Sequence, residues 1–183
     1  ERILASLFQS VTPRTAGYNT ANLTEMSDTS QAVTTLLMLI GGAPGSTAGG
    51  MKVTTLAVLI ANAAAAFRRR EEPRLFDRRL EHAAVRNAAA IFLLYLSLAF
   101  LGAAVISEAE GLPLGACLYE TASAAGTVGL TLGLTPRLGM FSQGILILLM
   151  FFGRVGGLTL IYAAFSGHDL TYARYPQEKI TVG

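Results

Sequence analysis

The chain has 183 residues, of which 52% are hydrophobic and 14% charged, with 19 glycines and no tryptophan. Soluble domains carry about 25% charged residues, so this balance points to a lipid environment and away from an ordinary soluble enzyme. A single cysteine, Cys117, excludes an internal disulfide and a thiolate metal cluster.

In chain order, residues 4–12 form a short helix-like stretch that leads into "TAGY" at residues 15–18. An acidic stretch with Glu25 and Asp28 follows, free of Lys and Arg, as an outer loop would be. Residues 31–66 are apolar but broken by "GGAPGSTAGG" at residues 41–50. Neither flank crosses a bilayer alone at about 1.5 Å rise per residue. Glycine and proline at this density make an unbroken helix untenable. Two half-helices joined by a non-helical loop inside the membrane are therefore expected, a pattern found in transport proteins.

Half of the 14 basic residues then cluster as Arg68, Arg69, Arg70, Arg74, Arg78, Arg79 and Arg86, alternating with Glu71, Glu72, Asp77 and Glu81. In a soluble protein this would suggest nucleic acid. Between apolar segments it reads as a cytoplasmic loop under the positive-inside rule, with no nucleic-acid role. Both histidines, His82 and His168, sit beside polar residues and read as solvated.

Residues 88–106 carry no charge and match the roughly 20 residues that span a bilayer core. After Glu108 and Glu110, residues 113–123 are too short and polar to cross. Gly126, Gly129 and Gly133 follow, and Pro136 stops any helix. A short helix with extended glycine-containing backbone between two apolar segments describes a re-entrant loop. Such backbone is tolerated at membrane depth only where protein or a water-filled cavity satisfies it. Residues 138–165 form the next membrane segment, with Arg154 inside it, and "YARYPQEKITVG" closes the chain.

The two halves repeat. "FQSVT" at residues 8–12 parallels "YETAS" at 119–123; "TAGY" parallels "TVGL" at 127–130; "LLMLIGG" parallels "ILLMFFG". The fold expected is an all-α polytopic membrane protein of membrane-pore-membrane repeats with re-entrant pore loops, about one and a half repeats long. Residues 1–66 make a unit lacking its first helix, 67–87 a basic linker, 88–166 a whole unit and 167–183 a cytoplasmic tail.

Thr-x-Gly at the end of a short helix has a chemistry. Glycine reaches positive φ without steric cost, so successive carbonyls can face one axis and replace the water shell of an alkali cation. The helix C-termini add partial negative charge. Thr15, Ala16, Gly17, Thr127, Val128 and Gly129 are the candidate filter residues. An intramembrane charge such as Arg154 is costly, about 2.5–3.5 kcal/mol on insertion scales, and should face the pore or a partner. It is placed to hydrogen-bond the carbonyls of the loop Gly41, Gly42, Ala43, Pro44, Gly45, Ser46, Thr47, Ala48, Gly49 and Gly50, and to limit ion occupancy by repulsion. Arg14 and Glu120 are expected to pair and brace the filter from behind. Lys52 lies just after the loop, where it could touch a regulator-facing side.

The segments "FQSVTPRTAGYNT", "GGAPGSTAGGMKVTT", "GTVGLTLGLTP", "FFGRVGGLTL" and "YPQEKITVG" together resemble the membrane subunit of the Trk/Ktr/HKT potassium transporters, nearest to the Ktr-type bacterial subunit. The resemblance runs nearly end to end. It implies four such units in one chain, so this sequence would be the C-terminal part of a longer polypeptide. It implies potassium uptake across the bacterial plasma membrane, sodium-dependent in several members, with no organic cofactor. Gly17 and Gly129 would be the central filter glycines, and residues 41–50 an intramembrane gate. Expected partners are membrane lipid, the remaining N-terminal pore units, a second copy in a homodimer and a cytosolic nucleotide-binding regulator. A true potassium channel would need intact helices around each filter. An intramembrane enzyme finds no nucleophile-base, paired-carboxylate or metal constellation, and "GGAPGSTAGGMK" lacks the P-loop ending.

Overall fold

The computed structural model describes residues 2–70, 72–76 and 78–156. Helix α1 (Arg2–Val11) stops where Pro13 withholds a backbone donor and restricts Thr12. Its apolar side chains stay open, with Ile3 at 80% and Leu4 at 73% exposure. Helix α2 (Asp28–Leu39) starts from Ser27, whose hydroxyl accepts from the Ser30 amide, and it carries Asp28 at the positive end of its dipole. Helix α3 (Val53–Phe67) follows the glycine-rich loop. At 12 and 15 residues, α2 and α3 reach only about 18 and 22 Å.

The end of α3 is a Schellman turn built without glycine. The Arg70 amide donates to the Ala65 carbonyl at 2.9 Å and the Arg69 amide to the Ala66 carbonyl at 3.0 Å, with Arg69 at φ +52°. This folds the basic segment back against α3, where it forms a small antiparallel hairpin of β1 (Arg74–Leu75) and β2 (Arg78–Arg79). An all-helical reading is corrected to that extent. Glu72 accepts both bonds from the Arg79 guanidinium, at 2.7 and 2.9 Å, and that contact holds its carboxyl below the usual range.

Helix α4 (His82–Glu110) begins six residues inside the segment expected as linker. Its 29 residues extend about 44 Å, and among the described residues it alone is long and apolar enough to cross a membrane. Gly111, at φ +64°, closes it in the left-handed conformation. Helix α5 (Leu114–Ala125) then enters the centre of the molecule, where every residue from Tyr119 to Ala125 is buried. Small residues on α4 make room for it. Ala99 and Ala103 are fully buried, and Thr121 of α5 donates to the Ala99 carbonyl at 2.9 Å. Met38 and Leu39 of α2 close the same core from the other side.

Helix α6 (Met140–Val155) packs on α4 and α5 through Leu146 and Leu149. The remainder of the expected 138–165 membrane segment, His168 and the terminal motif lie outside the described residues. Arg154 occupies the last turn of α6.

The first turn of α6 has no side-chain cap of its own, because Gly139 stands at the cap position. Glu110 supplies one from α4, accepting from the Gly139 amide at 2.9 Å and the Ser142 hydroxyl at 2.6 Å. Removing it as Glu110→Ala should destabilise the fold, because the Gly139 amide and the Ser142 hydroxyl lose their charged acceptor. Thermal unfolding in micelles, followed by circular dichroism, should show a clearly lowered midpoint. An unchanged midpoint would refute the capping role.

Candidate functional site

Both short helices end in turns of one conformation. Thr15 and Gly17 have φ of +65° and +73°, and Ala16 between them is negative. After α5, Thr127 and Gly129 stand at +52° and +91°, again with a negative residue, Val128, between. Alternating handedness along a chain swings successive carbonyls to the same side. The threonines matter here because a β-branched residue at positive φ is a strained conformation, kept only where its surroundings enforce it.

That enforcement is also repeated. The middle residue of each turn donates its amide back to the hydroxyl-bearing residue near the helix end. Ala16 donates to the Thr12 carbonyl at 3.1 Å, and Val128 to the Ser123 carbonyl at 2.9 Å. The Thr12 hydroxyl, fully buried, adds a bond to the Tyr18 carbonyl. The sequence reading missed Thr12; its position opposite Ser123 in the repeat was the available signal.

The two turns meet. A Cβ placed on Gly17 would lie 2.0 Å from the Val128 carbonyl oxygen, so only glycine admits this approach. The Thr15 hydroxyl reaches toward the Gly126 carbonyl at 3.4 Å. Their surroundings differ. Val128 and Leu130 are buried, whereas Ala16 and Tyr18 are exposed.

Glu120 does not pair with Arg14. The Arg14 side chain is exposed, and the one ion pair among the described residues is Arg79–Glu72. Glu120, only 3% exposed, instead accepts from the Thr131 hydroxyl at 2.7 Å, the Leu132 amide at 2.9 Å and the Thr135 hydroxyl at 2.6 Å. Three donors satisfy a charge that burial would otherwise penalise. The carboxylate therefore braces the backbone following its own turn, a local role that the distant arginine had obscured.

The glycine-rich loop lies against the second turn. Its ends are pinned to each other, the Gly41 amide donating to the Met51 carbonyl at 2.7 Å and Val53 to Gly42 at 3.2 Å. Gly49 and Gly50 are buried, while residues 43–47 are exposed. The Gly49 amide donates to the Thr127 hydroxyl at 3.1 Å, and the Gly50 amide to the Gly153 carbonyl of α6 at 3.2 Å. The tip carries two cations. Arg154 donates to the Thr47 carbonyl, and Lys52 to the carbonyls of Ser46 and Ala48. Three successive peptide oxygens are thereby occupied.

Contact between these parts requires a small residue at Gly153. A Cβ there would stand 2.1 Å from the Ala125 carbonyl and 3.2 Å from the Thr127 methyl. Gly144, on the same helix, has open space around it. Gly153→Ala should therefore cost about 1–3 kcal/mol by overpacking, while Gly144→Ala should gain about 0.5–1 kcal/mol from helix propensity. Opposite shifts in thermal midpoint test this, and equal shifts would contradict the close α5–α6 approach.

Comparisons with known proteins agree with this architecture. A family model described as TrkH, a cation transport protein, matches residues 1–169. The chain is 40% identical to the potassium/sodium uptake protein NtpJ of Enterococcus hirae, across all of its own length and 42% of that protein. It is 38% identical to the Ktr system potassium uptake protein B of Bacillus subtilis, across its full length and 41% of the relative. The chain thus spans about two-fifths of the length of these curated relatives. The crystal structure of the potassium transporter TrkH from Vibrio parahaemolyticus matches at a TM-score of 0.72 and 24% identity, covering 87% of this chain and 36% of that one. That last likeness concerns the fold alone.

Proposed function

The chain belongs to the TrkH family of cation transport proteins, and from that membership we propose that it forms part of a potassium uptake pathway in a bacterial plasma membrane. One observation carries the reading. Two Thr-x-Gly turns share an alternating-φ conformation, and the Gly17 backbone lies against the Val128 carbonyl of the other turn. Backbone oxygens aligned this way can replace the hydration shell of a dehydrated potassium ion. The C-terminal ends of α1 and α5, which lead into these turns, carry partial negative charge that favours a cation.

In this reading α1 with its turn and α5 with its turn are re-entrant pore segments, and Thr15, Ala16, Gly17, Thr127, Val128 and Gly129 supply the filter carbonyls. The remaining pore units come from the rest of a longer polypeptide. Relatives named for potassium and for potassium with sodium support an alkali cation as cargo. Relatives named as parts of Ktr systems support a membrane subunit that works with other components. A cytosolic nucleotide-binding regulator, a homodimer and sodium coupling belong to the same proposal. The basic hairpin segment faces the cytoplasm.

Loop 41–50 acts as the gate. Its tip carbonyls are tied down by Arg154 and Lys52, and its Gly49 amide occupies the Thr127 hydroxyl at the foot of the filter. Such ties are individually small, so the loop can be released at modest cost.

Two measurements test the assignment in the assembled transporter. Gly129→Ser should lower potassium uptake in an uptake-deficient cell and weaken discrimination against sodium; unchanged uptake and selectivity would overturn the filter assignment. Arg154→Ala removes a charge-assisted bond at an exposed site, worth on the order of 1 kcal/mol, raising the released-loop population about fivefold. A cysteine at Ala43 should then react correspondingly faster with a water-soluble thiol reagent. An unchanged rate would exclude Arg154 as the tie.

A further inference from the structure

A groove of about 410 Å³ opens between the second half of α3 and the basic hairpin. Its two ends differ in chemistry. Along α3 it is walled by Ile60, Ala61 and Ala64, with Leu75 of β1 opposite. At the helix end it is lined by Arg68, Arg70 and Arg74. The Schellman turn creates this juxtaposition, because it returns Arg70 over Ala65, where an apolar residue ordinarily covers the last turn.

None of the three arginines makes an ion pair among the described residues, and Glu72 is taken by Arg79. On the groove wall Ile60 is 59% exposed, and Phe67 and Phe76, next in sequence to the lining residues Arg68 and Leu75, are also open.

We propose that this groove holds one anionic phospholipid, its phosphate on Arg68, Arg70 and Arg74 and an acyl chain along the small-residue face of α3. The assignment rests on the membrane placement of α3 and α4 and is independent of the filter. Charge alone would fit a free phosphate or an acidic protein surface. The apolar trough continuous with the arginines selects an amphiphile, and basic pockets beside membrane helices hold such headgroups. Small side chains at Ala57, Ala61, Ala64 and Ala65 leave the trough open.

The test uses the full transporter in nanodiscs of mixed phosphatidylglycerol and phosphatidylcholine, with retained lipid measured by native mass spectrometry. The wild type should retain phosphatidylglycerol preferentially. The double variant Arg70→Gln with Arg74→Gln should reduce retention about 25-fold, since each such charge near a membrane surface is worth about 1 kcal/mol, or roughly fivefold. The matched double variant Arg78→Gln with Arg86→Gln, outside the groove, removes the same charge without touching the lining and should lose clearly less, by at least about fivefold. Ala64→Phe fills the trough from an exposed position and should also lower retention, with the arginines intact. Equal loss in both double variants would reduce the effect to diffuse charge and overturn the site. So would displacement by glycerophosphate as effective as by the intact lipid. If the groove variants weaken binding of the soluble partner subunit and leave lipid retention unchanged, the surface is a protein interface and the proposal fails. Ion uptake is read separately, so failure here leaves the transport reading untouched.

Discussion

A threonine held at positive φ is the constraint around which the second half of the molecule is organised. Left to itself, Thr127 would relax to an ordinary conformation, gaining about 1–3 kcal/mol. Four neighbours prevent it. The end of α5 takes the Val128 amide, the loop takes the Thr127 hydroxyl, Gly153 of α6 lets the helix close in beneath, and Glu120 anchors the chain just beyond. Burial of α5 from Tyr119 to Ala125 makes these contacts stiff, because that half of the helix, packed among α2, α4 and α6, has nowhere to shift.

The first turn adopts the same backbone with less support. Thr15 is strained alike, yet Ala16 and Tyr18 beside it are exposed, and α1 leaves its apolar side chains open. The difference lies in what each turn leans on. α4 packs behind α5, and Glu120 reaches forward from it. At the matching place in the first half stands Gln9, whose buried amide atoms find no partner among the described residues. What the halves share is the middle residue's amide bonded back to the helix end, so that bond, common to both turns, is what holds each threonine against its own preference.

Much of this was legible in the residues. The break at residues 41–50 was announced by glycine and proline, and the uncharged run in α4 by its length. The repeat of "TAGY" and "TVGL" located both turns. What the sequence hid depended on tertiary partners. Arg69 takes a left-handed cap position that composition would assign to glycine, so the returning hairpin was unforeseen. Glu120 looked like a partner for a distant arginine, because short-range threonine donors carry no charge to flag them. α4 starts at His82 because "HAAVRNAAA" has strong helix propensity, which a reading based on hydrophobicity alone passes over. Positive φ at two threonines was invisible for the same reason: local preference opposes it, and only the assembled surroundings impose it.

The pinned base of the glycine-rich loop has a mechanical consequence. Since Gly41 is bonded to Met51 and Val53 to Gly42, the ends of α2 and α3 are stitched together whether the tip lies in or out. Were the tip to move as the proposed gate requires, these bonds would let both half-helices stay in place. Gating of that kind would do little work against the bilayer and would respond weakly to membrane thickness or lateral tension.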